Sequence, residues 1–209
     1  MPLNTLQNCA NGIQCGSAPI AIKDMLFILK RRWQTALAGL VVLATVGLLL
    51  RAVLPSPTAL AFSADTLLLG VAVFAGVLLS DILLHGLFLL TFGDSYRRRH
   101  RELVALFRGQ APPAIVLGAA MAGVGEELVF RGLSVEPAYL IGGAVLFGLL
   151  HHVRASLWPF TVWAIYQGLL FAATLSLTQA LTVTMTAHFL HDSAGFLLFR
   201  HLNRREGTE

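Results

Sequence analysis

Charge is what this sequence has least of. Asp, Glu, Lys and Arg make up 12% of its 209 residues, against 56% that are hydrophobic, whereas an ordinary soluble domain carries about 25% charged residues. That shortage excludes a solvated surface over most of the chain. Cysteine is nearly as scarce, with Cys9 and Cys15 alone and no second pair or nearby histidine, so a disulfide scaffold and a cysteine zinc site are both disfavoured and the two read as free thiols without a function. The opening "MPLNTLQNCANGIQCGSAPI" lacks the basic n-region and apolar h-region of a cleaved signal and reads as a polar tail. Repeats, low-complexity tracts and long linkers are also missing, which leaves one membrane domain to account for the chain.

What is present is a series of apolar runs near the roughly 20 residues that cross a bilayer. Breaks marked by charge, Pro or Gly predict spans at 34–54, 66–92, 112–133, 138–153, 158–177 and 179–199. The expected fold is all-α, a polytopic transmembrane bundle of about six helices. Residues 1–33 would be the polar tail with an interfacial amphipathic helix in "IKDMLFILKRRW", or that segment would simply extend the first span. Residues 34–200 would form the membrane domain and 201–209 a cytoplasmic tail.

Of the 15 Lys and Arg residues, all but Arg51 and Arg131 fall on one side of a six-span topology. They precede the first span, follow the second at Arg97, Arg98, Arg99, Arg101 and Arg108, follow the fourth at Arg154, and close the chain. Basic loops are retained in the cytoplasm, so both termini are expected there, in the inner (plasma) membrane of a prokaryote. Topology alone then accounts for the net charge of +4, with no nucleic acid implied; the alternative is that a basic loop such as "SYRRRHRELVALFRG" attracts phospholipid headgroups or an acidic partner.

Ionisable groups within the spans cost roughly 2.5–3.5 kcal/mol each on insertion scales and mark function by default. In "AGVGEELVFRGL", Glu126 and Glu127 point about 100° apart on a helix and cannot share one role. Glu127 and Arg131 are four apart with the acid first, the favourable order for an ion pair. Glu126 is left without a local partner and free for general acid–base work. In "AVLFGLLHHV", Phe147 and His151 share a face, so the imidazole projects beside the ring. In "TMTAHFLHDSAGF", Asp192 stands four after His188, where a carboxylate can orient an imidazole. Asp81 and His85, four apart in the second span, read as a structural hydrogen-bonded pair or as lining of a cavity. His152 and His191 read as neighbours supporting the motif histidines, and Gly142, Gly143 and Gly148 as sites of close helix packing.

"EELVFR" at 126–131, "FGLLH" at 147–151 and "HFLHD" at 188–192 together resemble the three ordered motifs of the CPBP intramembrane proteases, which include the CaaX prenyl protease of the Rce1 type and the bacterial Abi proteins. The resemblance covers roughly 111–200. Many members have asparagine where this chain has Asp192. The resemblance implies that Glu126 and His151 activate a water for attack on a peptide carbonyl, that His188 and Asp192 stabilise the oxyanion or help bind the water, and that Glu127 and Arg131 hold the glutamate helix. An ionised Asp192 cannot donate to an oxyanion, so it is assigned to orienting His188.

The expected cofactor is none. The alternative is a catalytic zinc held by Glu126, His151 and His188. The chain has no H-E-x-x-H, no G-x-S-x-G or G-x-S-G, and no second Y-D to accompany "FGD" at 92–94, which argues against other intramembrane protease classes. The implied substrate is a membrane-anchored peptide such as a prenylated tail, a sorting segment or a bacteriocin-like precursor. The alternative function is a non-proteolytic immunity or peptide-binding protein, or a proton-linked transporter using the same cluster. Depth poses a problem: Glu126 lies about 20 Å along its span, whereas His151 is close to Arg154 at the cytoplasmic end of the next. A deeper glutamate span, a fourth helix running on through "RASLW", or a re-entrant "SVEP" connection would each bring them together.

Overall fold

The computed structural model describes residues 22–54, 56–152 and 154–206, so the tail with Cys9 and Cys15 lies outside the described residues. Among them are six α-helices and no strand: α1 Ile22–Val53, α2 Ala64–Ala105, α3 Pro112–Phe130, α4 Pro137–Leu150, α5 Trp158–Thr178 and α6 Leu181–Glu206. The backbone of "IKDMLFILKRRW" belongs to α1, but its side chains, and with them the amphipathic reading, lie outside the described residues. The chain divides into two compact units, Met1–Thr35 and Ala36–Glu209. All that follows concerns the second.

Local signals set the helix limits. Ser63 caps α2: its Oγ accepts from Thr66 N at 3.2 Å, and Thr66 Oγ1 accepts from Ser63 N at 3.0 Å, so two amide donors that the helix leaves over are satisfied. Proline opens the first turn of α3, α4 and α5, where its missing N–H costs nothing. Within α2, Gly93 breaks helical geometry at φ 48, a conformation that glycine adopts without a Cβ penalty. It separates the apolar part of α2 from a basic arm of residues 94–105.

Three stretches are long and apolar enough to cross a membrane: α2, α3 and Ala155–Thr178. Leu37–Val53 and α4 are apolar but shorter. The sides of α2 that carry Leu68, Leu79, Ile82, Leu83 and Leu90 are exposed, an apolar surface suited to lipid rather than water. The protein is an all-helical integral membrane protein.

Packing centres on α6, against which both α2 and α3 lie, while α4 pairs with α5. Close approach depends on glycine in the motif helix. A Cβ on Gly123 would stand 2.9 Å from Phe189 N of α6, so α3 can come this near only without a side chain there. Gly143 and Gly148 also face close neighbours, Phe130 O and Ile165, but Gly142 has nothing within 4 Å, which corrects its reading as a packing site.

Away from the basic arm, the connections are tied together. Ala59 and Ala180 form an isolated parallel bridge, with Ala59 N donating to Gln179 O at 2.9 Å and Leu181 N to Ala59 O at 3.0 Å. Arg51 Nη1 donates to Thr58 Oγ1 at 2.6 Å and to Gly132 O at 3.1 Å, fastening the α1–α2 connection to the chain just after α3.

The course of α4 excludes one of the three answers to the depth problem. It does not run on through "RASLW"; it stops at Leu150, with His151 as its C-cap, and a 3-10 turn at Ala155–Leu157 leads into α5. The basic arm of α2 holds this turn: Arg99 Nη1 donates to Ser156 O at 2.6 Å, Ser156 Oγ to Glu102 at 3.2 Å, and Arg154 lies 3.8 Å from Glu102.

Candidate active site

The glutamate motif occupies the last turns of α3. Glu127 and Arg131 form the ion pair their spacing implies, through Glu127 Oε1 and Arg131 Nη1, and both are almost fully buried. The guanidinium also donates from Nη2 to Gly168 O at 3.2 Å and lies 5.3 and 5.5 Å from the ring centroids of Phe147 and Phe171. A buried cation so placed gains from the ring quadrupoles as well as from its carboxylate. These contacts fix the end of α3 against both α4 and α5.

His188, buried on α6, joins the motifs. Its Nδ1 lies 2.9 Å from Glu127 Oε1, and its Nε2 stands 3.5 Å from both Glu126 Oε2 and Asp192 Oδ2. The ring stacks on Phe171 at 5.0 Å between centroids and meets the edge of Phe147 at 6.0 Å. Its nearest hydrogen-bond partner is therefore Glu127. This adjusts the role read for Asp192, whose own contact with His188 is the longer one, and gives Glu127 a second task that the sequence reading missed.

His151 packs on Phe147 with centroids 4.3 Å apart, and its Nδ1 faces Phe147 O at 2.8 Å. A ring nitrogen that faces a carbonyl must carry the hydrogen, so in the neutral ring Nε2 holds the free lone pair. His151, His188 and Asp192 line one pocket. Its remaining wall is largely aromatic, with Phe147, Phe160, Trp163, Phe171 and Phe196. Glu126 reaches the same group through His188, whose Nε2 it approaches to 3.5 Å. The structure thus brings together the four residues that the motifs single out.

Asp81 and His85 do not pair with each other, which corrects that expectation. Asp81 Oδ1 accepts from Trp163 Nε1 at 2.9 Å and from Gln167 Nε2, and its Oδ2 faces His191 Nε2 at 2.6 Å. His85 Nδ1 meets Tyr96 Oη at 2.8 Å, and its ring packs edge-on to His100. One residue thus reaches the site's surroundings and the other lies in a separate aromatic cluster. His152 faces Thr161 Oγ1 at 2.9 Å. Trp163 and Gln167 were not marked in the sequence, and an indole and an amide in an apolar helix carry no spacing signal that would mark them.

Among the described residues, no three His, Cys, Asp or Glu side chains are arranged to hold a metal ion. His188 holds its Nδ1 against Glu127, which leaves Nε2, the nitrogen that faces Glu126, as its ligand atom for a metal.

An integral membrane bundle with a buried glutamate, histidine and aspartate centre beside an aromatic pocket defines the class. Residues 108–194 match the family model described as type II CAAX prenyl endopeptidase, Rce1-like. All three motifs lie within that segment, and over it the chain is similar to that family of endopeptidases. No curated protein and no solved structure matches the chain.

Proposed function

We propose that the chain is an intramembrane endopeptidase that cleaves a peptide bond of a membrane-anchored substrate, using a water activated by Glu126 and His151. The observation that carries this reading is the division of labour between adjacent glutamates. Glu127 is committed to Arg131 and His188, whereas Glu126 faces the Nε2 side of His188 at 3.5 Å. A carboxylate so placed has an oxygen left over for water.

In this reading Glu126 takes a proton from the water as its oxygen attacks the carbonyl carbon. Negative charge develops on the carbonyl oxygen, towards which His188 presents an Nε2 hydrogen, its Nδ1 being held by Glu127. Donors aimed at a developing oxyanion in a dry site contribute a few kcal/mol of barrier reduction. When the carbon–nitrogen bond breaks, the leaving amine collects the proton from Glu126, with the free Nε2 of His151 as the exchange partner. The aromatic wall favours an apolar segment, such as a prenylated tail, a sorting segment or a bacteriocin-like precursor.

The test is to incubate purified protein in lipid nanodiscs with a panel of membrane-anchored peptides and identify products by mass spectrometry. A single internal cut that disappears in Glu126→Gln supports the reading. Intact peptides throughout, with folded protein, would leave peptide sequestration or proton relay as the function.

A further inference from the structure

Asp81 lies on α2, outside residues 108–194, yet it touches the site at second hand. A continuous line of polar contacts runs from it: Asp81 Oδ2 to His191 Nε2 at 2.6 Å, His191 Nδ1 to Asp192 Oδ1 at 3.2 Å, and Asp192 Oδ2 to His188 Nε2 at 3.5 Å. We propose that Asp81 and His191 form a positioning arm that holds the Asp192 carboxylate so that its second oxygen faces His188.

Three features support this. First, a carboxylate only accepts hydrogen bonds, and each oxygen of Asp192 faces a different histidine, so fixing one oxygen turns the other. Second, His191 has a carboxylate oxygen on each ring nitrogen. The row is satisfied only with a hydrogen in both gaps, an arrangement that resists rotation of the ring, and the Trp163 ring lies over it at 5.4 Å. Third, Asp81 is itself anchored from α5 through Trp163 and Gln167. The arm therefore refers the position of Asp192 on α6 to two further helices. His191 is 6% exposed, so water cannot easily replace a lost partner.

The decisive variant is Asp81→Asn. Its amide oxygen still accepts from Trp163 and Gln167, but its NH2 can only donate to His191 Nε2, which must then give up its hydrogen, so the hold of His191 on Asp192 falls from a charged to a neutral hydrogen bond while the anchor to α5 survives. The readout is the ring 15N signals of His188, assigned with His188→Gln, in histidine-labelled protein. Asp81→Asn is expected to shift them, although Asp81 does not touch His188, and to leave them unmoved when Asp192 is already alanine. No shift in the wild-type background, or the same shift in the Asp192→Ala background, overturns the arm.

The kinetic part rests on the proteolytic reading. There Asp81→Asn should lower kcat by about three- to tenfold, within the limit expected for Asp192→Asn, because a working group is less well placed, with KM changed less than about twofold. A rise in KM at constant kcat overturns it. If the wild type cleaves nothing, the proteolytic reading fails and the spectra still decide the arm. Should Asp81→Asn not fold, His191→Gln cuts the same line one residue nearer, with the same expectations.

Discussion

One carboxylate oxygen, Glu127 Oε1, receives Arg131 Nη1 from its own helix and stands 2.9 Å from His188 Nδ1 on α6. The buried ion pair and the imidazole of the site are thus a single construction. Anything that moves Arg131 moves the histidine as well.

Removing either member of that pair leaves a buried charge uncompensated, at a cost of about 3–5 kcal/mol. Glu127→Ala and Arg131→Ala should each lower the thermal unfolding temperature in detergent markedly. The arginine variant also gives up its two aromatic contacts. Wild-type unfolding temperatures would show that the pair contributes nothing.

Glu126→Gln keeps shape and volume but cannot take a proton from water. Its expected effect is a loss of cleavage of about 100-fold or more with an unchanged unfolding temperature, because Glu126 has no ion-pair duty comparable to that of Glu127. Turnover at the normal rate would remove Glu126 from the mechanism.

Asp192→Asn should retain at least about a tenth of the wild-type rate, a barrier increase below about 1.4 kcal/mol. An amide oxygen can still face His188, and an amide hydrogen can still meet His191. Exhaustive chelation should change the native rate little. Inactivation by chelator, with recovery on adding zinc, would instead establish a metal ligand role for these residues.

Gly123→Ala tests the approach of α3 to α6. The added methyl would meet Phe189 N at 2.9 Å, and backbone cannot yield cheaply, so a destabilisation of about 1–3 kcal/mol is expected, with activity falling as Glu126 is pushed from His188. Gly142→Ala is the matched control, since nothing lies within 4 Å of it. Equal unfolding temperatures for the two variants would contradict the packing described.

The motif residues were legible because each pair is set four apart on a helix, and helical spacing alone places Glu127 by Arg131 and Phe147 by His151. The links between pairs were not. Glu127 to His188 and Asp81 to His191 cross between helices far apart in sequence, and neither partner's local pattern names the other. Asp81 and His85 illustrate the limit: four apart on one face, they were read as a pair, but the partners on α5 and α6 and the nearby Tyr96 take precedence. The end of α4 was drawn three residues late because no Pro, Gly or fixed charge stands between Leu150 and Arg154, and composition cannot distinguish a helix that goes on from one that turns. The extension of α2 past residue 92 was missed for a related reason, since a glycine followed by arginines reads as a loop.

The early stop of α4 has a consequence for the surrounding lipid. Fourteen residues give a rod of about 21 Å, against a hydrocarbon layer of about 30 Å. Acyl chains beside α4 would have to shorten or tilt to meet it, at a fraction of a kcal/mol per Å, which would dimple the bilayer on that flank. In the proposed proteolytic reading, a scissile bond entering there would travel less far from the headgroups than one crossing undisturbed lipid, and hydrolytic water would face the same shorter path. In that reading bilayer thickness would become a variable of the reaction: longer acyl chains would deepen the dimple's cost and raise the barrier to entry, while shorter ones would relieve it.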